Sequence, residues 1–357
     1  MKKGKKKILF LYTELAGYFL ACVSELQKQY DAEVHVVRYP VNDEAPFVFS
    51  PGSSVFFYER EKYNYRLLQE LAVSISPDCI YCSGWIDRDY VRVCKSFGKK
   101  IPVVLALDNQ WKGSLRQHLA SLFFRPYIQK IYTHVWIPGS PQDGYASRLG
   151  FGPSNIMYGV YSIAHSAFNG YYTLNRELKE SRFPKKFLYV GRYLDFKGVR
   201  DLWHAFIELQ YEMPNSWELW CAGTGPLEKD FPVHPQVKNL GFVQPSDIGR
   251  IIAQTGVFVL PSHFEPWGVV VHEFAAAGMP LLCSSEVGAV SHFLRDGDNG
   301  FVFKSGDVRG LKRVLRKIVT LPVAELSAMG RKSTELAASH TPGMWAEKIM
   351  ALCANRL

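Results

Sequence analysis

Two glutamates enclose seven residues in the stretch HFEPWGVVVHEFAAAGMPLLCSSE, at positions 263–286. The residues between Glu265 and Glu273 are Pro, Trp, Gly, His and three valines. An ionised carboxylate is costly to bury without a partner, so a purely structural helix has little use for two of them. Acids in dinucleotide-binding folds accept hydrogen bonds from ribose hydroxyls. We interpret both glutamates as ligands for hydroxyl groups; the alternative is a pair of surface salt bridges.

A basic pair occurs earlier, in FLYVGRYLDFKGVRDLWHAF at 187–206. The apolar run ends at Gly191, Arg192 follows, and Lys197 and Gly198 precede an amphipathic helical pattern. A glycine turn between a strand and a helix N-terminus favours anion binding. Two cations five residues apart in that turn fit a diphosphate. Surface cations beside a glycine turn are common, and that remains the alternative.

Two further strand ends carry ligand-binding patterns. AGTGPL at 222–227 places Gly223 and Gly225 in a turn where a ligand can approach the backbone, although such a turn alone is weak evidence. NLGFVQPSD at 239–247 places Phe242 and Val243 before a helix start, where backbone groups could contact a nucleobase edge. In the opening stretch, Gly268 and Val269 present free N–H groups at a helix start.

The elements that position these residues alternate between short apolar runs and longer amphipathic stretches, which is typical of parallel α/β sheets. The predicted strands are 8–12, 33–39, 79–83, 102–107 and 134–139, then 187–191, 218–223, 237–242, 257–262 and 280–284. The pattern predicts two Rossmann-like domains facing each other across a cleft, with ligands at the carboxyl ends of the strands. We expect an N-terminal domain at 1–170, a linker at 171–184, a second domain at 185–339 and a closing segment at 340–357.

The composition and charge of the sequence limit the classes of molecule that the protein is expected to bind. The net charge is +9, and residues 1–170 hold 20 Lys and Arg against 14 Asp and Glu, including the leader KKGKKK. This basic half is compatible with anionic membrane lipids, whereas no aromatic-rich motif supports nucleic-acid binding. The segment 114–132 mixes apolar residues with Arg and Lys and predicts a membrane-surface helix or, equally, a core helix. Seven scattered cysteines indicate reduced thiols. No apolar stretch approaches the roughly 20 residues that span a bilayer.

GRYLDFKG, AGTGPL, LGFV and EPWGVVVHE, in this order, closely resemble the C-terminal half of retaining glycosyltransferases of family 4. These enzymes have the GT-B fold and an E-x7-E signature. The resemblance covers residues 185–320, and the final HTPGMWAEKIMALCANRL resembles the family's closing helix, which returns to the N-terminal domain.

The resemblance implies roles for the matching positions. Arg192 and Lys197 would neutralise the donor diphosphate, Glu265 would lie beside the transferred sugar, and Glu273 would bind the nucleotide ribose. The backbone of the turn Pro266, Trp267, Gly268 and Val269 would contact sugar and phosphate. The resemblance also implies metal-independent transfer, and no cofactor beyond a UDP- or GDP-linked donor is expected.

The N-terminal half matches the family less well. Gly17 corresponds to a glycine turn near the donor phosphates, within an atypical ELAGY. Many members have a histidine after the strand that matches PVVLAL, and this sequence has Asp108 there, which we take as a catalytic candidate. Trp85 and Asp87 follow another strand and would face the acceptor.

The sequence thus predicts a retaining glycosyltransferase that moves a sugar from a nucleotide-sugar to a hydroxyl of a saccharide or lipid-linked saccharide, in bacterial surface polysaccharide or lipid-linked glycan synthesis. The expected location is cytoplasmic, with peripheral contact at the inner face of the membrane. The alternatives are a catalytically silent nucleotide-sugar-binding protein and a sugar-nucleotide epimerase of the same fold.

Overall fold

A computed structural model describes residues 5–40 and 54–354, so Lys2 and Lys3 of the basic leader lie outside the described residues. The chain divides into two compact units, Met1–Ala164 with His340–Leu357, and His165–Ser339. Each unit is built on a parallel sheet with helices on both faces, which confirms the two predicted Rossmann-like domains. Across the described residues, no helix combines the length and apolar character needed to cross a bilayer.

The N-terminal unit contains a seven-stranded sheet. Its strands are β1 (Lys7–Leu11), β2 (Glu33–Arg38), β3 (Val55–Glu59), β4 (Cys79–Cys82), β5 (Val103–Ala106), β6 (His134–Ile137) and β7 (Ile156–Tyr158). Its first helices are α1 (Gly17–Tyr30), α2 (Tyr65–Ile75), α3 (Arg88–Phe97), α4 (Leu115–Ile131) and α5 (Asp143–Arg148). The strand order is β3-β2-β1-β4-β5-β6-β7. Successive strands are therefore added on one side of β1 up to β3 and on its other side from β4 onward, which makes a topological switch point between β1 and β4. The sequence prediction omitted β3 and β7.

The C-terminal unit contains a six-stranded sheet. Its strands are β8 (Lys186–Val190), β9 (Glu218–Ala222), β10 (Val237–Gly241), β11 (Val257–Leu260), β12 (Leu281–Ser284) and β13 (Gly300–Phe303). Its helices are α6 (His165–Ser181), α7 (Val199–Glu212), α8 (Ile248–Gln254), α9 (Val269–Ala276), α10 (Val290–Phe293), α11 (Val308–Thr320) and α12 (Val323–Ala337). The strand order β10-β9-β8-β11-β12-β13 places the topological switch point between β8 and β11. Ligands of open α/β sheets bind beyond the carboxyl ends of such strands.

The predicted linker at 171–184 is wrong, because most of these residues belong to α6 of the C-terminal unit. The sequence there looks polar, but two consecutive tyrosines pack against other elements of the unit. Tyr171 and Tyr172 occupy space left by Gly249 and Gly278, where a Cβ atom would lie 2.5 Å and 2.2 Å from the rings. Phe168 of the same helix contacts Phe274 with ring centroids 6.4 Å apart.

The last helix, α13 (Pro342–Ala354), is part of the N-terminal unit. Trp345 stacks on Trp136 with centroids 5.1 Å apart, and its Nε1 donates to the carbonyl of Val160 at 3.0 Å. With α1, this helix covers one face of the sheet, while α2, α3 and α5 cover the other. All seven cysteines are buried and free.

Candidate functional site

The exit loops of β8 and β11 lie side by side because the two strands are neighbours in the sheet. The backbone N–H groups of His263 and Phe264 both donate to the carbonyl of Phe196, at 2.8 Å and 3.3 Å. Gly198 permits this approach, since it has φ +65° and a Cβ atom there would lie 2.2 Å from the carbonyl oxygen of Pro261. Residues 192–198 and 261–265 therefore form one continuous surface at the edge of the sheet.

Lys197 and Glu265, 68 positions apart in the chain, form an ion pair on this surface. Their side chains are only 20% and 14% exposed. The backbone of Glu265 is held on its other side, where its N–H donates to the carbonyl of Glu286 at 3.2 Å and its carbonyl accepts from Gly288 at 3.0 Å. A partly buried cation and carboxylate thus stand together where the sheet topology places a ligand.

The N-terminus of α9 opens beside the same carboxylate. Gly268 adopts φ +91°, and a Cβ atom there would lie 3.0 Å from Cγ of Glu265. Among the residues that the structure describes, no side chain caps this helix, so its first N–H groups have no side-chain acceptor there. Free N–H groups and the helix dipole together favour a bound anion. Lys197, paired with Glu265, belongs to the same surface.

Glu273 lies on α9, one turn beyond Val269. Desolvation by burial raises the pKa of Glu273 to about 7. Within residues 5–40 and 54–354, its carboxyl makes no hydrogen bond or ion pair. An acid kept desolvated without a partner costs stability, and such groups mark functional-site candidates. By contrast, the neighbouring His272 has a structural role, since its Nε2 contacts the carbonyl of Ala337 at 3.0 Å and its ring stacks on Phe293.

The other predicted residues of this unit fall into two groups. Arg192 is exposed at the end of β8, where its carbonyl accepts a hydrogen bond of 2.9 Å from Tyr189. Phe242 is 42% exposed at the end of β10, with Val243 beside it. Trp267, in contrast, is buried against Phe293, so only its backbone and that of Pro266 remain for ligand contact.

The glycine-rich turn at 222–227 has a packing role that the sequence did not reveal. A Cβ atom on Gly223 would lie 1.9 Å from the carbonyl oxygen of Gly191, and one on Gly225 would lie 2.6 Å from that of Tyr193. The N–H of Tyr193 donates to the carbonyl of Thr224 at 2.8 Å. The two glycines therefore let this turn fix the loop that carries Arg192.

Sequence reasoning missed His263. Its ring contacts the carboxylate of Asp201 on α7, with Nε2 to Oδ2 at 2.7 Å. The pair ties the exit loop of β11 to the helix that follows Lys197. The spacing between His263 and Glu265 carried no motif that would have indicated this positioning role.

The N-terminal candidates occupy the carboxyl edge of the other sheet. Asp108 follows β5 and accepts a hydrogen bond of 3.1 Å from the hydroxyl of Tyr161, another residue that sequence reasoning missed. Burial, followed by the charge of Asp108, holds the pKa of Tyr161 well above its usual range, so this hydroxyl stays protonated. Gly17 is the first residue of α1, and a Cβ atom there would meet no atom within 4 Å.

Asp87 does not behave as an acceptor ligand. Its carboxylate accepts from Arg60 at 2.6 Å and from Tyr39 at 3.0 Å, and it caps α3 through the N–H groups of Asp89 and Tyr90. The prediction for Asp87 is therefore wrong, because these contacts already use its oxygens. Trp85 contacts Tyr145 with centroids 6.1 Å apart and borders a large groove.

Two parallel-sheet α/β units of this kind define the GT-B fold. The fold is shared with sucrose-phosphate synthase from Thermosynechococcus elongatus, at a TM-score of 0.72 and 15% identity over 98% of each chain. It is also shared with HepE from Anabaena, solved with UDP and glucose, at a TM-score of 0.66 and 16% identity over 97% of this chain and 98% of that one.

The C-terminal unit also matches known proteins in sequence. Residues 173–335 match the family described as glycosyl transferases group 1. Glycogen synthase of Mycobacterium tuberculosis (strain ATCC 25618 / H37Rv) is 32% identical over 149 residues, which is 40% of this chain and 35% of the relative. The lipopolysaccharide core biosynthesis glycosyltransferase LpsE of Rhizobium meliloti (strain 1021) is 32% identical over 137 residues, 36% of this chain and 38% of the relative. These matches span little more than a third of each relative's length.

Proposed function

We propose that this protein is a retaining glycosyltransferase of the family 4 type, which transfers a sugar from a nucleotide-sugar donor to a hydroxyl of a saccharide acceptor. The observation that carries the proposal is the ion pair of Lys197 and Glu265 beside the uncapped N-terminus of α9, at the topological switch point of the C-terminal sheet. The group 1 match over the same unit supports it. HepE, of the same fold, was solved with UDP.

The ion pair suggests how the donor binds. The diphosphate takes the place of the Glu265 carboxylate beside Lys197, with Arg192 and the N–H groups of Val269 and its neighbours as further donors. Glu265, released from the cation, then accepts hydrogen bonds from hydroxyls of the transferred sugar. Glu273 accepts from the ribose hydroxyls, and Phe242 and Val243 border the base.

The chemistry is electrostatic. The acceptor oxygen forms a bond to the anomeric carbon on the face from which the donor's phosphate oxygen departs, so the configuration is retained. The acceptor's proton passes to the departing phosphate oxygen. Lys197 and Arg192 stabilise the charge that develops on the nucleoside diphosphate, and Asp108 is a further catalytic candidate. Because these cations supply the positive charge, we expect transfer without a divalent metal.

The proposed pathway is supported by one matched relative and by the charge of the N-terminal unit. LpsE, a matched relative, is named for lipopolysaccharide core biosynthesis. We propose a role in bacterial surface polysaccharide or lipid-linked glycan synthesis on the cytoplasmic side. The basic N-terminal unit would contact anionic membrane lipids.

The test is nucleoside diphosphate release from a panel of UDP- and GDP-linked sugars, in the presence of EDTA. We expect release from one donor, with the anomeric configuration of the transferred sugar retained by NMR. Glu265→Gln should lower the rate about a hundredfold, whereas the exposed control Glu177→Gln should leave it unchanged. Binding without release from any donor would support a silent binding protein, and conversion of a donor into its epimer would indicate an epimerase.

A further inference from the structure

Helix α4 of the N-terminal unit shows apolar side chains to solvent instead of burying them. Of its 17 residues, only Ile128 and Ile131 are buried. The exposed apolar residues are Leu115, Leu119, Leu122, Phe123, Phe124 and Tyr127. This corrects the expectation of a core helix. An exposed apolar patch on this scale marks an interaction site.

Most of these side chains line one groove, which encloses about 1190 Å³ between α3, α4 and α5. Phe123, Phe124 and Tyr127 form one side of it, and Val91 of α3 lies opposite. Trp85 and Tyr145 close it near the carboxyl edge of the sheet, together with Asn109, the residue after Asp108. Positions 115 to 127 span about 18 Å of helix. The groove is therefore long, apolar and continuous with the edge where we place the acceptor.

The charged groups among the described residues at this groove are all cationic. Arg88, Arg92 and Arg116 line it, and none of the described residues that line it is an Asp or Glu. Arg92 already lies over the ring of Tyr65 at 3.5 Å and contacts Asp89. Arg88 and Arg116, by contrast, are exposed and make no ion pair or hydrogen bond in the part of the chain that the structure describes.

The charges at the groove distinguish between three candidate ligands. A second copy of the chain, packed by two-fold symmetry, would bring arginine against arginine. A neutral apolar peptide would leave both free guanidinium groups without a partner. A hydrocarbon chain with a phosphate head group satisfies both parts of the surface, since guanidinium groups bind phosphate in bidentate fashion.

We propose that the groove between α3 and α4 binds the single hydrocarbon chain of a lipid phosphate, with Arg88 and Arg116 on its anionic head group. The substrate class is then a lipid-linked acceptor whose saccharide end lies at the carboxyl edge, near Asp108. The inference rests on the proposed function for the statement that this lipid is the acceptor. Binding of the lipid phosphate itself does not depend on catalysis.

The test is calorimetric titration of the full chain with farnesyl phosphate below its micellar concentration, with farnesol and inorganic phosphate as partial ligands. We expect farnesyl phosphate to bind, and Phe123→Ser and Arg116→Ala each to weaken it about tenfold, or roughly 1.4 kcal/mol. The matched controls are Leu122→Ser and Arg125→Ala on the same helix. Leu122 is 70% exposed and Phe123 69%, but Leu122 does not line the groove, so both controls should bind within about twofold of the wild type.

Several results would overturn the proposal. Equal losses in Leu122→Ser and Phe123→Ser would show non-specific adhesion, and equal binding of farnesol would remove the role of the arginines. Sedimentation with phosphatidylglycerol vesicles without farnesyl phosphate binding would make α4 a membrane-surface helix instead of a chain site. UDP and GDP binding, measured on the same samples, separates the two claims. Its absence would contradict the proposed donor site and leave the groove result standing.

Discussion

The two units share one topological feature but place different chemistry on it. In each sheet the order of strand addition reverses beside the first strand, between β1 and β4 in one unit and between β8 and β11 in the other. In the C-terminal unit this edge carries a cation–carboxylate pair and an uncapped helix. In the N-terminal unit it carries the buried hydroxyl of Tyr161 and the carboxylate of Asp108.

The difference follows from what each edge would bind. A diphosphate needs fixed positive charge and free N–H groups, and such groups must come from particular residue types at strand ends. The saccharide end of an acceptor is polar, and many combinations of hydroxyls and aromatic rings can hold it. Two similar sheets can therefore bind a diphosphate or a saccharide through the residues at one edge alone.

The largest expected effect is loss of transfer in Lys197→Ala. Removing this cation takes away a stabilising contact to the departing diphosphate, so kcat should fall about 10²–10³-fold. It also leaves Glu265 partly buried without its partner, which should lower the free energy of unfolding by about 1–3 kcal/mol. Steady-state kinetics and chemical denaturation measure the two effects separately. Lys229→Ala, an exposed lysine of the same unit, is the control. A variant with normal kcat would contradict the assignment of the charged edge to the diphosphate.

The next effect concerns backbone geometry. Gly198→Ala should cost about 2–4 kcal/mol of stability, because its φ of +65° is strained for alanine and its Cβ would meet the Pro261 carbonyl. Gly17→Ala, at the corresponding loop of the N-terminal unit, should change stability by less than about 0.5 kcal/mol, since the space around it is open. Thermal unfolding of both variants gives the comparison. Equal costs would mean that the two loops are built alike.

Glu273 gives a pH-dependent effect. Burial raises its pKa from 4.5 to about 7, so the folded state prefers the protonated acid. The protonated acid is tolerated in the folded state, so the stability linked to its protonation is fully present below pH 4.5 and is lost as the pH rises through 7. Glu273→Gln should therefore stabilise the ligand-free protein by about 1–3 kcal/mol at pH 8, allowing for solvent near the partly exposed side chain, and hardly at pH 4.5. Denaturation at both pH values measures this.

The same substitution should weaken nucleotide binding at pH 8, because the ribose hydroxyls lose a charged acceptor. Glu177→Gln should change neither quantity. If the variant is stabilised but its nucleotide affinity is unchanged, Glu273 does not bind the ribose.

The smallest effect should come from Asp108→Asn. The amide oxygen can still accept from Tyr161, so stability should stay within about 0.5 kcal/mol of the wild type. If Asp108 takes part in catalysis, loss of its negative charge should lower kcat about tenfold. Kinetics and unfolding on one preparation measure both effects. A large loss of stability with unchanged kcat would make Asp108 a structural residue.

The sequence predicted most strands of both sheets to within one or two residues, because buried parallel strands are short apolar runs between turns. It failed at α6, whose inward tyrosines lie among polar residues, and at the short edge strands β3, β7 and β13. At the site, residue type and strand-end position indicated Lys197 and Glu265. No local pattern could show that they pair across 68 positions, or that Trp267 is buried and Asp87 engaged by Arg60. Those facts depend on packing between distant segments.

The most direct test of a nucleotide-diphosphate site at the β8–β11 edge is thermal stabilisation by a panel of nucleoside diphosphates. A ligand at a hundredfold excess over its Kd adds about 2.7 kcal/mol to the stability of the folded state. We predict stabilisation of the wild type and of Lys229→Ala by one nucleotide, and its loss in Lys197→Ala and Glu273→Ala. Stabilisation that survives in both of these variants, or its absence with every nucleotide in the wild type, would contradict the account.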